Sequence, residues 1–270
     1  MDSRLELVLC GEVLSDIVIL THKHIKKYSP SKLPPTLHQD VEMIMLTLFD
    51  VVVQVILTLE RSAPSSGTLV ACLMGILQLM GEFHYSKLWE AHMTSGTNHL
   101  RRLLHSIILL LADLVRAAIF ASDWFVMRMV TNYTILAAMQ EIAQPLISIF
   151  LKQGRFDNQL WSSYLNLAVG FLTQPCLQLE RFSQQKRHKV LERYNDMRVL
   201  MGFQILSMWR ELDDHRLHFI PGMVGPFLEV TLVPEPELRK ATLPIFFDMM
   251  QAEQQAKGSF KQFAGESSLQ

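Results

Sequence analysis

This sequence has little of what usually marks a chemistry. Its three cysteines, Cys10, Cys72 and Cys176, are widely spaced and odd in number. That excludes a disulfide framework and fits buried thiols in a reducing compartment. Charged residues make up only 19% of the chain and the net charge is −1, so no basic excess argues for nucleic acid or an anionic membrane. Glycine is sparse, with 12 in 270 residues, and no phosphate-cradling or nucleophile-elbow pattern occurs. No Cys/His cluster has zinc spacing. Serine, histidine and aspartate occur without a signature joining them. The reading therefore assigns no catalytic residue, no cofactor and no metal. Acids at Asp2 and Glu6 replace the basic start of a secretory leader, and none is expected. Period-2 alternation is also missing, so no strand is predicted.

What remains is apolar and helical. Hydrophobic residues reach 49%, with 15 methionines; methionine fills irregular gaps between packed helices. Ser3 and Glu6 fit a capping box opening a helix to about His24. The run His22-Lys23-His24 reads as a solvated helix end, because no acidic or cysteine ligand adjoins it. A loop over residues 28–36 leads, through a second capping box at Thr36 and Gln39, to a helix over about 37–61. Thr47, Asp50, Gln54 and Thr58 form one polar stripe on it. A turn is predicted at 62–67. A helix follows over 68–92, loosened near Gly81, and then one over 98–121 with Arg102, Ser106, Asp113 and Arg116 along one side. Ser122 and Asp123 can cap a further helix to about Phe150, kinked at Pro145, with Trp124, Met127, Met129 and Met139 expected in the core. The uninterrupted apolar run at 43–49 is too short to span a bilayer. Asp113 and Arg116 make a span costly in the helix over 98–121. No integral span is expected.

Residues 152–157 (KQGRFD) form the clearest internal boundary, with Asp157 as an N-cap. Leu160, Tyr164, Leu167, Ala168 and Phe171 then make one apolar stripe, ended by Pro175. Ser183 opens a helix expected to run to about 214. Its first half carries Lys186, Arg187, His188, Lys189 and Arg193. Such a run is usually a solvated face, and it is also the chain's one candidate partner-binding basic face, at Lys186, Arg187, Lys189 and Arg193.

The most informative stretch is 217–251. Pro221, Gly222, Gly225 and Pro226 are expected to break and restart the chain. Pro234 and Pro236 stop the segment 227–233. Glu235 and Glu237 favour a helix N-terminus, after which Leu238, Ala241, Thr242, Ile245, Phe246 and Met249 form one stripe. A kink or restart is expected at Pro244. Phe246, Phe247 and Trp209 are assigned to the core.

Seven short segments carry a resemblance: 172–174 (LTQ), 177–180 (LQLE), 194–198 (YNDMR), 218–225 (HFIPGMVG), 231–234 (TLVP), 237–241 (ELRKA) and 244–250 (PIFFDMM). Together they resemble the dedicator-of-cytokinesis (DOCK) family of guanine nucleotide exchange factors. The match is specific over about 157–250 and looser over 1–154. The resemblance divides the chain into an N-terminal helical array at 1–154, a DOCK-like scaffold segment at 155–263 and a disordered tail at 264–270. It implies an all-α, armadillo/HEAT-like solenoid of antiparallel helix pairs preceding the catalytic exchange domain.

The same resemblance implies Rac/Rap-type small GTPases and ELMO-type adaptors as partners, and a cytoplasmic place with membrane recruitment through other family domains. It places the exchange machinery in a lobe this sequence does not contain. Three readings follow: a scaffold segment of a DOCK-like exchange factor, a stand-alone helical adaptor that competes with a full-length relative, or a small helical membrane protein.

Overall fold

The computed structural model describes Val13, Asp16, Leu20 and Gln39 singly, and residues 49–60, 64–117, 119–153 and 156–258. The capping boxes at Ser3 and Thr36, the His22-Lys23-His24 run, the loop at 28–36, Cys10 and the tail at 264–270 lie outside the described residues. The fold is all-α, made of helix pairs packed side by side, with no strand among the described residues. In chain order the helices are α1 (Phe49–Thr58), α2 (Pro64–Leu79), α3 (Glu82–Thr94), α4 (Thr97–Arg116), α5 (Phe125–Ile147), α6 (Asn158–Thr173), α7 (Gln184–Tyr194), α8 (Met197–Glu211), α9 (Ile220–Leu232) and α10 (Pro236–Lys257). Two compact units result: residues 1–110 with 117–141, and residues 111–116 with 142–270.

In the first unit α1 keeps Asp50, Gln54 and Thr58 in solvent while Phe49, Val52, Val53 and Ile56 are buried. Gln54 Nε2 donates to Ser106 Oγ of α4 at 3.0 Å, and Gln78 of α2 donates to Thr134 of α5 at 3.2 Å. Helix α2 starts at Pro64, four residues before the predicted position, because proline fits a first helical turn, where its missing N–H has no partner to lose. The expected break at Gly81 is present. Helices α2 and α3 meet at 107°, and the Gly81 N–H donates to His84 Nδ1 at 3.1 Å. Helix α4 stops at Arg116 rather than Ala121. Trp124 departs from its assignment to the core: it is 58% exposed, because it lies in the bend before α5, where Phe120 stacks on it at 6.3 Å. Met129 and Met139 are buried as expected. Burial pushes the Cys72 thiol up to about 11, and Cys176 of the second unit is also buried, its thiol donating to Gln174 Oε1 at 2.9 Å. Pro145 lies inside α5, which passes into a π-helical turn at Ser148–Gln153. The stretch Phe125–Gln153 is long and apolar enough to cross a membrane, and 56% of its apolar window is buried inside the protein. The core helix of a water-bathed protein passes the same test.

The second unit is built on α6, α8, α9 and α10. Asp157 caps α6, accepting from the Leu160 N–H at 3.0 Å, and all five residues of its predicted stripe are buried. The helix expected from Ser183 to about 214 is two helices. Asn195 takes φ +58° and ends α7; Asp196 then caps α8. The prolines at 221 and 226 do not break the chain. Pro221 sits in the first turn of α9 and Pro226 inside it. An interior proline costs about 3 kcal/mol, but Met223, Val224, Phe227 and Val230 are buried on this helix, at about 1.5–3 kcal/mol each. Packing outweighs the lost backbone bond. Helix α10 likewise continues through Pro244 without a restart. Its stripe is buried at Leu238, Ala241, Thr242, Ile245 and Met249. Phe247 is the correction: it points outward and is 62% exposed, one position round from Phe246.

Helix α8 crosses α10 at Gly202. A β-carbon there would sit 2.6 Å from Leu238 Cδ1 and 3.5 Å from Ala241 Cβ. Gly202→Leu is expected to lower unfolding free energy by about 1–3 kcal/mol, the cost of overpacking; urea denaturation reads it. Asn195 gives a second expectation. At φ +58°, ψ −170° the backbone favours glycine, so Asn195→Val should cost about 1–3 kcal/mol while Asn195→Gly leaves the midpoint unchanged or raises it.

Candidate functional site

The joints between helices in the second unit are tied by arginines. Arg198, in the first turn of α8, is fully buried. Its guanidinium donates from Nη1 to Glu180 Oε2 at 2.8 Å and from Nη2 to Glu180 Oε1 at 3.0 Å. It also donates from Nη2 to Asp196 Oδ2 at 2.7 Å and from Nε to Asp196 Oδ1 at 3.0 Å. Gln178 Oε1 accepts a further bond at 3.3 Å. This planar fork gives each of two carboxylates a pair of N–H bonds, which a lysine ammonium cannot do. Burial alone would raise the Glu180 carboxyl; hydrogen bonding and charge from Arg198, with Arg187 adding its charge, hold it below its ordinary value. Gln178 in turn donates to the carbonyls of Leu172 and Gln174, at 3.0 and 3.1 Å. The segments LTQ, LQLE and YNDMR therefore meet in one buried polar knot.

Two further arginines close helix C-termini, where cations favour the dipole. Arg216 donates to the Trp209 and Arg210 carbonyls at 3.2 and 3.0 Å, ending α8. Arg239 donates from Nε to the Thr231 and Val233 carbonyls, both at 3.1 Å, clamping the TLVP turn onto α10. Glu235 caps the start of α10 through the Leu238 N–H. Beneath these ties lies an aromatic core. Fully buried Trp209 meets Phe219 at 6.5 Å and Phe227 at 6.0 Å, both edge-on. Phe156 stacks on His215 at 4.0 Å.

The predicted basic residues all lie on α7 and are all exposed. The helix brings only three of them together. Lys186, Lys189 and Arg193, at i, i+3 and i+7, form one stripe. Arg187 is turned about 100° from Lys186, and its charge acts on Glu180. Lys186 Nζ stands 4.3 Å from the centre of the Phe182 ring, and the Arg193 guanidinium 5.5 Å from that of Tyr194. Among the described residues no cluster of three or more metal-ligating side chains occurs. Sequence reading missed Arg198, Arg216 and Arg239 as ties. The signal was present for two of them, since Arg198 and Arg239 fall inside resembling segments.

An all-α chain of packed helix pairs has the architecture of a helical-repeat region. The family model for the dedicator of cytokinesis (DOCK) TPR region matches residues 1–269, so this chain belongs to the DOCK family, over its N-terminal half as well as over the motif-rich part. It is 41% identical to human dedicator of cytokinesis protein 4 over 269 residues, covering 95% of this chain. It is 37% identical to mouse dedicator of cytokinesis protein 3 over 275 residues, covering 97% of it. The chain spans 13% of the length of either relative.

Proposed function

We propose that this chain is a helical scaffold segment of a DOCK-type guanine nucleotide exchange factor acting in Rac/Rap small-GTPase signalling and on the cytoskeleton. It contributes no exchange chemistry itself. The observation that carries this reading is where the family-like segments go. Gln178, Glu180, Asp196, Arg198, Phe219 and Arg239 are used to join helices. A stiff helical array would fix the distance and angle between membrane-recruited and exchange modules in the cytoplasm. GTPases and ELMO-type adaptors would be engaged through other regions, and the basic face at Lys186, Arg187, Lys189 and Arg193 would hold an anionic partner.

Exchange factors stabilise the nucleotide-free GTPase, so the test is gel filtration of the chain with nucleotide-free Rac and, separately, Rap. The expected result is two unshifted peaks in each run. A co-migrating complex would overturn the assignment of GTPase contact to other regions.

A further inference from the structure

The stripe on α7 has a sharper geometry than a generally basic surface. Lys186, Lys189 and Arg193 lie on one side of the helix and span about 10 Å along its axis. Two of the three heads rest against rings, Lys186 over Phe182 and Arg193 beside Tyr194. Such contacts hold a cation in place without neutralising it. Lys189 and Arg193 form no ion pair with a described residue. The helix's one acid, Glu192, borders the stripe three residues from Lys189 and is turned about 100° from Arg193. The chain as a whole has a net charge of −1, so this concentration of positive charge is local.

Three cations, two of them held against rings, could meet carboxylates or a lipid surface, and the surroundings decide between them. No large apolar side chain is exposed on α7 or on residues 178–183, so nothing beside the stripe would enter a bilayer. A helix bearing acids at i, i+3 or i+4, and i+7 repeats the stripe's own spacing. We propose that Lys186, Lys189 and Arg193 form a docking stripe for an acidic helix of a protein partner. This rests on the reading of α7 as a partner-binding face and names the class of partner.

The test uses the whole 270-residue chain and a fluorescein-labelled, alanine-based helical peptide with glutamates at i, i+4 and i+7, read by anisotropy. Phosphatidylserine vesicles form a second arm. The triple variant K186E/K189E/R193E should weaken peptide binding about tenfold, since exposed charge pairs are individually weak; R210Q, at an exposed arginine on α8, should change it by less than about twofold. Added salt should weaken the wild-type complex. If the triple variant does not fold by circular dichroism, K189E and R193E singly should each cost about threefold. Equal peptide binding by wild type and variants overturns the proposal. So does vesicle binding that the variants abolish without peptide binding, although the face then remains an anion-binding one. Binding in neither arm removes both readings.

Discussion

Replacing Arg198 with leucine is expected to lower the free energy of unfolding by about 3–5 kcal/mol at pH 7. That range is typical of removing one partner from a buried ion pair. The reason lies in what is left behind. Glu180 and Asp196 each take two bonds from the guanidinium, and both carboxylates are mostly covered, at 26% and 15% side-chain exposure. Without Arg198 they stay charged and partly desolvated. Arg198→Lys should fall between, because an ammonium cannot serve both carboxylates as a fork. The combined variant E180Q/D196N/R198L should recover part of the loss, since it leaves no uncompensated charge. Urea denaturation of the four proteins measures all of this.

The pH dependence has a definite sign. The folded-state value of Glu180 lies below its ordinary 4.5. Its contribution is therefore present above about 4.5 and is lost as pH falls through the lower, folded value. The gap between wild type and R198L should close on acidification below 4.5, and not on raising pH from 7 to 9. A gap that stays constant down to pH 2 would mean the knot adds nothing electrostatic.

Trp209→Ala should also cost about 3–5 kcal/mol, the range for truncating a large buried aromatic. The indole is fully buried between Phe219 and Phe227, so its removal opens a cavity where α8 and α9 meet. Trp124→Ala is the matched control. That side chain is 58% exposed, and its loss should shift stability by no more than about 0.5 kcal/mol. Thermal melts of the two variants separate core from surface directly. Equal shifts would contradict the placement of both tryptophans.

These two tryptophans also mark what a sequence does and does not reveal. Period 3.6 placed the stripes of α6 and α10: the first is buried throughout, and the second is buried except at half-buried Phe246. Capping chemistry placed Asp157, and the preference of acids for a helix N-terminus placed Glu235, which proves to be the cap of α10. Whether one aromatic faces in or out was less legible, because it depends on where neighbouring helices lie. Trp124 falls in a bend, and Phe247 is one position off the stripe at Phe246. The break at Asn195 was hidden because the flanking residues, Arg193-Tyr194 and Asp196-Met197, include no proline or glycine. Only an asparagine's tolerance of positive φ marks it. The prolines of α9 misled in the other direction, since local preference predicts a break that buried apolar side chains override. On the candidate face, charge was readable and phase was not. Four basic residues looked equivalent until the helix set Arg187 apart from the other three. Arg198 is paired with a carboxylate eighteen positions earlier, a separation that no local pattern reveals.

If the chain is scaffold, as proposed, exchange chemistry resides elsewhere in the family's longer proteins. The most direct measurement is the release rate of a fluorescent guanine nucleotide from Rac and from Rap, with and without the purified chain. The account predicts rates equal to the spontaneous ones for both GTPases at any concentration of the chain. Release that accelerates in proportion to added chain would contradict it.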